Sequence, residues 1–322
     1  MAPCGAGKTE IVYDVILQAI NDHKVVCFAT PRKDVVLELM PRFKRDFNQV
    51  EIVGLYGGSE DKGKSGHLYV TTTHQLINFY KYFDLVILDE VDAFPYYNNK
   101  MLEGFVEKAK KQEAPIIYLT ATPTKKLKRS MSQKKLPYFI IPSRFHKFPI
   151  PIPRVILVSH LEKSLKQGKI PQSIRQFLDA RKQINKQVFI FVPNIQMGKM
   201  VEKLLLSMNY NCQFVSSESK DRKEVIYRFR KGDLQFIITT TILERGVTVS
   251  NVDVCILMAS DEIFDERAIV QIIGRAGRDK SYPTADCRLF TEDYTRGIKD
   301  AIKHIKSMNK RNNAYNRVGK VQ

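Results

Sequence analysis

The sequence predicts an α/β protein of two domains, each built on a mostly parallel sheet with helices on both faces. Three observations support this. Short apolar runs alternate with helical patterns through most of the 322 residues, a proline-rich stretch over residues 142–153 interrupts them, and the same alternation then resumes. Strands that alternate with helices favour parallel pairing. A chain of this length also exceeds the usual size of one hydrophobic core.

The first half alternates strand and helix patterns from residue 10 onward. Helices are predicted over residues 10–19, 33–47 and 100–111, and strands over residues 24–29, 52–56, 67–73, 85–88 and 115–119. Polar or glycine-rich clusters follow the strands, as in Thr30-Pro31-Arg32 and Thr120-Ala121-Thr122. Because ligands bind at the carboxyl ends of the strands in an open α/β sheet, these clusters predict a single site.

The second half repeats this architecture after the proline-rich stretch. Strands are predicted over residues 154–159, 187–192, 212–215, 235–239 and 252–258, and helices over residues 172–181, 197–208, 220–231 and 266–273. Four prolines in residues 142–153 exclude a helix or a central strand and favour a stiff, extended connector. The predicted divisions are a first domain (1–141), a linker (142–153), a second domain (154–298) and a basic tail (299–322), helical at its start and disordered at its end.

The first nine residues have the composition of a phosphate-binding loop. Gly5 and Gly7 permit a tight turn close to a phosphate, Lys8 supplies a positive charge, and Thr9 supplies a hydroxyl for Mg²⁺. Ala2 stands where the strict pattern has its first glycine. A strand normally precedes such a loop, and no residues are present here to form one. We therefore expect that the sequence is a fragment or that its true start lies upstream; the alternative is a loop that is held differently.

Three carboxylates, Asp89, Glu90 and Asp92, follow the buried strand over residues 85–88. Carboxylates this close repel one another unless a cation neutralises them, and Mg²⁺ favours one or two such ligands together with phosphate oxygens. Taken alone, an acidic turn after a strand is more often a solvated loop or a helix N-cap than a metal site. The phosphate-binding loop upstream favours the metal site.

Arg275 and Arg278 lie three residues apart among small residues and can project toward one target. The guanidinium fork suits phosphate oxygens, so that either residue could act as an arginine finger. The alternative is a structural pair in salt bridges with Asp279 or Glu266.

The net charge of +18 predicts a polyanionic partner, nucleic acid before acidic lipid, although a merely soluble basic surface is the alternative. The five cysteines are scattered without a C-x-x-C pair, which argues against both a disulfide framework and a zinc site. With neither a signal peptide nor an apolar run of about 18 residues, we expect a cytoplasmic protein without a membrane span.

The ordered set of motifs resembles the superfamily 2 helicases. The segments CGAGKTE, LDEVDAFP, TATPT, SRFHKFPIPIP, TTTILERGVTV and QIIGRAGR are similar to the ComFA family, the ATP-dependent DNA translocases of natural competence in Gram-positive bacteria. The resemblance covers roughly residues 2–290, and PriA-like helicases are more distant relatives.

The resemblance implies two RecA-like domains that close on ATP and Mg²⁺. In that arrangement Lys8 and Thr9 bind the phosphates and Mg²⁺, Asp89 holds the metal through water, and Glu90 orients or deprotonates the attacking water. The other implied residues are Gly5, Ala6, Gly7, Gly246 and Gln271 around the nucleotide, Arg275 and Arg278 on the γ-phosphate, Thr120 and Thr122 in coupling, and Arg32, Thr72, Asn194 and Thr240 on nucleic acid.

The activity that the resemblance implies is single-stranded-DNA-dependent ATP hydrolysis that drives DNA uptake. Competence DNA-uptake proteins at the inner face of the cell membrane would be its partners. Members of the family also carry a four-cysteine zinc module and an adenine-reading segment before the first motif, and this sequence has neither, so no zinc is expected here. Two alternatives are a helicase of replication restart or repair and an inert DNA-binding fragment without ATPase activity.

Overall fold

Both halves of the chain form parallel α/β sheets in the computed structural model, which describes residues 6–241 and 249–318. The chain divides into two units, Met1–Ile141 and Pro142–Gln322. Every strand pair within the two sheets is parallel. The prediction of parallel α/β domains is therefore confirmed.

The first unit is built on a five-stranded sheet in the order β2-β3-β1-β4-β5. Its strands are β1 (Val26–Thr30), β2 (Ile52–Leu55), β3 (Leu68–Thr72), β4 (Leu85–Asp89) and β5 (Ile116–Leu119). Its helices are α1 (Tyr13–Asn21), α2 (Lys33–Asp46), α3 (Lys100–Ala109) and α4 (Lys125–Ser132), with 3-10 turns at Glu10–Val12 and Thr73–Asn78.

The central strands of this sheet are buried on both faces. Successive side chains of a strand point to opposite faces, so Phe28 of β1 joins the hydrophobic cluster that contains Ile16 of α1 and Phe43 of α2. Its neighbour Cys27 joins a second cluster, which contains Val106 of α3. This double burial explains why the strands appear in the sequence as unbroken apolar runs.

The second unit contains a six-stranded sheet in the order β6-β11-β10-β7-β9-β8. The strands are β6 (Arg154–Leu157), β7 (Gln187–Phe191), β8 (Cys212–Val215), β9 (Phe236–Thr239), β10 (Val252–Leu257) and β11 (Cys287–Thr291). The helices are α5 (Leu161–Lys166), α6 (Gln172–Gln183), α7 (Ile195–Ser207), α8 (Arg222–Lys231), α9 (Glu266–Ile273) and α10 (Arg296–Val318).

The basic C-terminal stretch is an ordered helix rather than a tail. Helix α10 continues to Val318, so the prediction of a disordered end is wrong up to that residue. Its buried residues Ala301, Ile305 and Met308 recur at intervals of three and four between the lysines and form one apolar face. Within the ranges that the structure describes, none of the helices is long and apolar enough to cross a membrane.

The proline-rich segment (residues 142–153) forms neither helix nor strand, as its composition requires. It is packed within the second unit, however, and is more than a spacer. The backbone amide of Ile150 donates to Asn309 Oδ1 at 2.8 Å, and Asn309 Nδ2 donates back to the carbonyl of Ile150 at 2.8 Å. The guanidinium of Arg144 is also buried.

Close packing between α7 and β8 generates a first prediction. A Cβ at Gly198 would stand 2.1 Å from the ring of Phe214, whereas a Cβ at Gly104 in α3 would meet no atom within 4 Å. We expect Gly198→Ala to lower the free energy of unfolding by about 1–3 kcal/mol through overpacking. Gly104→Ala is the matched control and should raise it by about 0.5–1 kcal/mol, because alanine favours the helix. Equal urea midpoints for the two variants would contradict this packing.

Candidate functional site

The described part of the phosphate loop leads directly into the first helical turn. Gly7 has a φ of +69°, and a Cβ there would meet the carboxylate of Glu10 at 3.3 Å, so glycine suits this position. Thr9 is buried at the start of the turn, and its side chain makes no capping hydrogen bond. Lys8 is partly exposed beside it. A lysine and a hydroxyl at a helix start are suited to bind phosphate and Mg²⁺. Gly5 lies outside the described residues.

The acidic turn is strained and partly buried. Strand β4 ends at Asp89, which is 7% exposed, and Asp89 Oδ1 accepts a hydrogen bond of 2.8 Å from the amide of Glu90. Glu90 has a φ of +55°, a left-handed conformation that costs a non-glycine residue about 1–2 kcal/mol. Such strain is concentrated at functional sites, where the surrounding structure enforces it.

Asp92 joins the ends of β4 and β5. Thr120 Oγ1 donates to Asp92 Oδ1 at 2.6 Å and Thr122 Oγ1 donates to Asp92 Oδ2 at 2.7 Å, with all three side chains buried. The amide of Thr122 also donates to Thr120 Oγ1 at 3.1 Å. The structure thus brings the two threonines onto the acidic turn, through a carboxylate to which the sequence pattern assigned no individual role.

The polar ends of β1 and β3 lie along the same edge of the sheet. Thr30 and Thr72 are paired in register, and β1 separates β3 from β4, so Thr72 lies two strand spacings, or about 10 Å, from Asp89. The hydroxyls of Thr30 and Thr73 are buried without a hydrogen-bond partner among the described residues. Buried polar atoms of this kind call for a ligand or water. Arg32 follows at the start of α2.

These residues fit a magnesium nucleotide. Thr9 and Asp89 offer the oxygen ligands that Mg²⁺ prefers, and Lys8 offers a point charge for phosphate. An adjoining cavity of about 410 Å³ has Lys8 in its lining but is otherwise mainly apolar, with Val15, Ile117 and Phe139 among its walls. Phosphate needs polar ligands, which favours the strand ends over this cavity.

In the second unit, α9 carries the predicted glutamine and leads into the predicted arginines. Asp265 caps the helix by accepting hydrogen bonds of 2.9 Å from the amides of Arg267 and Ala268. Gln271 is buried within α9. The helix ends at Ile273 and is followed by residues 274–278, here called the arginine loop.

The two arginines of this loop differ in environment. Arg275 is buried, whereas Arg278 is partly exposed and its Nε donates to the carbonyl of Gly274 at 2.9 Å. Arg144, to which the sequence pattern assigned no role, contacts the same loop.

The residues predicted to contact nucleic acid in this unit lie at adjacent strand ends. Asn194 follows β7 and caps α7, because its Oδ1 accepts a hydrogen bond of 2.9 Å from the amide of Met197. Thr240 follows β9, the neighbour of β7, and is partly exposed. Capping alone accounts for an asparagine at this position, so its contact with nucleic acid stays a prediction. Gly246 lies outside the described residues.

The described cysteines have the properties of core residues. Cys27, Cys212, Cys255 and Cys287 are free and buried, and burial raises the pKa of Cys212 to about 12. Thiols in such surroundings stay protonated and unreactive near neutral pH. Within residues 6–241 and 249–318, no group of three or more His, Cys, Asp or Glu side chains could hold a metal ion by itself. That zinc is not bound stays a prediction.

The bridge between Asp92 and the two threonines generates a second prediction. Thr122→Val keeps the shape of the side chain but removes a donor from a buried carboxylate, so we expect a loss of about 1–3 kcal/mol in the free energy of unfolding. Thr284→Val, at an exposed position, is the control and should change it by less than about 0.5 kcal/mol. Chemical denaturation measures both, and equal values would show that the bridge contributes nothing to stability.

The surroundings of His146 generate a third prediction. Burial and then the charge of Arg144 lower the pKa of His146, against smaller opposing effects of backbone groups at Gly277 and His146 and of the charge of Asp279. His146 Nδ1 accepts a 3.2 Å hydrogen bond from the amide of Phe148. When the pH is lowered, His146 therefore takes up its proton at a higher pH in the unfolded chain than in the folded chain. The stabilisation is complete above the ordinary histidine pKa of about 6.5 and is lost as the pH falls through the folded pKa.

His146→Gln tests this by removing the titrating group. Denaturant unfolding at several pH values should show a smaller loss of stability between about pH 7 and pH 5 in the variant than in the unmodified protein. Parallel curves would contradict the lowered pKa.

Comparisons with known proteins match both units of the chain to helicase domains. The model of the DEAD/DEAH box helicase family matches residues 1–130, and the model of the helicase conserved C-terminal domain matches residues 169–280. Among solved structures, S. cerevisiae Dbp5 bound to RNA and ADP BeF3 superposes with a TM-score of 0.66 at 14% identity, over 96% of this chain and 82% of that one. Mycobacterium smegmatis helicase Lhr bound to ssDNA and AMP-PNP gives a TM-score of 0.64 at 17% identity, over 96% of this chain and 46% of that one. These likenesses confirm the RecA-like fold.

Curated relatives identify the family. The chain is 44% identical to competence protein ComFA of Bacillus subtilis, over 96% of this chain and 66% of that protein. It is 40% identical to competence protein ComFA of Streptococcus pneumoniae, over 96% and 72%. The chain thus spans about two thirds of the length of these relatives. With this identity along nearly all of its residues, the chain belongs to the ComFA family of superfamily 2 helicases.

Proposed function

We propose that this chain hydrolyses ATP to move along single-stranded DNA and that this movement drives DNA uptake in natural competence. The observation that carries the proposal is the acidic turn at the end of β4. It combines a buried Asp89, a left-handed Glu90, and an Asp92 tied to Thr120 and Thr122. This turn joins the residues proposed for hydrolysis to those proposed to couple it to movement.

In the first unit, Lys8 and Thr9 bind the β- and γ-phosphates and Mg²⁺, with Gly5, Ala6 and Gly7 forming the loop around them. Asp89 would hold the ion, and an oxygen of the Glu90 carboxylate orients the attacking water and accepts its proton. When bound, Mg²⁺ neutralises charge on the phosphates. Phosphoryl transfer needs little covalent chemistry from the protein, so the rate depends on how well these side chains are positioned.

In the second unit, Arg275 and Arg278 supply positive charge to the γ-phosphate, and Gln271 and Gly246 line the nucleotide site. Arginine fingers raise turnover by roughly 10³–10⁵-fold in related chemistry. The support for this role is the position of both residues in one short loop after α9, in a unit that matches the helicase conserved C-terminal domain.

The nucleic-acid track is formed by strand ends in both units. Arg32 and Thr72 contact the DNA backbone from the first unit, and Asn194 and Thr240 from the second. The net charge of +18 supports a polyanionic partner. Contact with the backbone rather than with the bases lets a motor advance on any sequence.

The competence role rests on the relatives that are named competence proteins. We propose a cytoplasmic protein whose partners are single-stranded DNA and the DNA-uptake proteins at the inner face of the membrane. A repair helicase is the second candidate, because the chain is 25% identical to the transcription-repair-coupling factor of Staphylococcus haemolyticus, over 85% of this chain and 24% of that protein. Strand separation on forked DNA would favour this candidate.

The fourth prediction concerns Glu90. ATP hydrolysis by the unmodified protein should rise on addition of single-stranded DNA, and Glu90→Gln should lower the turnover by about 10²-fold or more, because the amide cannot accept a proton. The binding of single-stranded DNA should be unchanged. Glu113→Gln, an identical change at an exposed position of the same unit, is the control and should keep full activity.

Two outcomes contradict the proposal in different ways. Equal turnover by Glu90→Gln and Glu113→Gln would show that Glu90 has no role in catalysis. No turnover in the unmodified protein, with the binding of single-stranded DNA intact, would identify an inert DNA-binding fragment.

A further inference from the structure

A buried guanidinium from the proline-rich segment contacts the backbone of the arginine loop. Arg144 is 1% exposed. Its Nη1 donates to the carbonyls of Ala276 at 2.9 Å and Gly277 at 2.6 Å, and its Nη2 reaches the carbonyl of Gly274 at 3.3 Å. More than 100 residues separate donor and acceptors along the chain, so only the folded second unit brings them together.

Two of these carbonyls, those of Ala276 and Gly277, accept from a donor outside the loop. The amides of Gly274, Arg275 and Ala276 turn back to carbonyls of α9 and satisfy the end of the helix. The carbonyls that accept from Arg144 lie beyond the helix, and these hydrogen bonds are buried. Gly277 has a φ of +60°, and a Cβ there would stand 2.4 Å from the carbonyl oxygen of Pro283, so the turn is tightly confined. The guanidinium of Arg144 occupies the space that remains beside this turn, and its N–H groups are the donors to the carbonyls.

One carbonyl connects Arg144 to a predicted γ-phosphate contact. Gly274 O accepts both from Arg144 Nη2 and, at 2.9 Å, from Arg278 Nε. A displacement of Gly274 therefore moves the acceptor that orients the Arg278 side chain. The two adjacent carbonyls held by Arg144 belong to residues between Arg275 and Arg278, so the same guanidinium restrains the backbone of both arginines.

The segment that carries Arg144 is itself anchored. Asn309 of α10 pairs with both backbone groups of Ile150, and Asn312 Nδ2 donates to the carbonyl of Lys147 at 2.9 Å. Helix α10 also packs against α9, the helix that leads into the arginine loop. The proline-rich segment and the arginine loop are therefore both held in place through α10. Arg144 lies three residues after Ile141, the last residue of the first unit.

We propose that Arg144 is a positioning residue for the arginine loop. Its guanidinium holds the carbonyls of Gly274, Ala276 and Gly277 so that Arg275 and Arg278 meet the γ-phosphate in the orientation that transfer requires. Arg144 itself contacts neither nucleotide nor DNA. This inference rests on the proposed ATP hydrolysis and adds a residue to it.

The test compares Arg144→Gln and Arg144→Lys with the unmodified chain in DNA-stimulated ATP hydrolysis. Misplacement of a catalytic group by about 1 Å can cost about 10²-fold in rate, so we expect Arg144→Gln to lower kcat by about 10- to 100-fold. The KM for ATP and the affinity for single-stranded DNA should change by less than about threefold, because only the transition state is affected. Arg144→Lys keeps the positive charge but lacks the fork of donors, so its kcat should lie between those of Arg144→Gln and the unmodified chain.

Arg181→Gln is the matched control for loss of a largely buried, hydrogen-bonded guanidinium, whose side chain is 13% exposed. Arg181 Nε donates to Asp253 Oδ2 at 3.0 Å, and Arg181 also pairs with Asp286. These carboxylates lie at the amino-terminal ends of β10 and β11, whereas α9 follows the carboxyl end of β10. Arg181→Gln should therefore lower the unfolding midpoint and leave kcat per folded molecule unchanged.

Amide hydrogen exchange over residues 272–280 of the full chain supplies a readout that needs no activity. Arg144→Gln should speed exchange there by tenfold or more, and Arg181→Gln should not. Unchanged exchange, or an unchanged kcat in a folded Arg144→Gln protein, would overturn the inference, as would an equal loss of kcat in Arg181→Gln. No turnover in the unmodified protein would instead count against the proposed function, and the exchange data would still decide whether Arg144 holds the loop.

Discussion

Parallel sheets buried on both faces leave polar side chains little room except at the strand ends. In the first unit, β1 and β4 are buried along their whole length, and Thr30 and Asp89 terminate them. Parallel pairing places all carboxyl ends at one edge, so threonines, glycines and carboxylates that are far apart in the chain become neighbours there. The candidate site of the first unit is a consequence of this arrangement.

Polar groups at such edges are partly buried and must be satisfied, and the two units solve this in different ways. In the first unit, the hydrogen bonds come from other side chains, because two threonine hydroxyls donate to the carboxylate of Asp92. In the second, a side chain satisfies backbone, because Arg144 donates to carbonyls of the arginine loop. Removing one partner from either arrangement leaves a buried group unpaired, which costs more than the hydrogen bond itself contributed.

The sequence was sufficient for features with a local signal. Helix α9 has the predicted bounds of residues 266–273, and β8 the predicted 212–215. Such elements are determined by the periodicity of their own side chains. Arg144 has no local signal, because its acceptors are backbone carbonyls far along the chain. The sequence pattern did not predict that α10 continues to Val318. Lysines stand between the apolar residues of this helix in the sequence, and the stretch therefore resembles a solvated tail.

Rigidity in the arginine loop has a physical purpose if its arginines stabilise charge. Groups that are already oriented need not reorganise when charge develops, and this preorganisation is a large part of electrostatic catalysis. Arg275 is buried and Arg278 shares the carbonyl of Gly274 with Arg144, so neither side chain has the freedom of a surface arginine. A loop held only by its own turn would sample several orientations, and each would place the guanidinium differently. The buried Arg144 therefore suits a site in which the position of a charge, more than its presence, determines the rate.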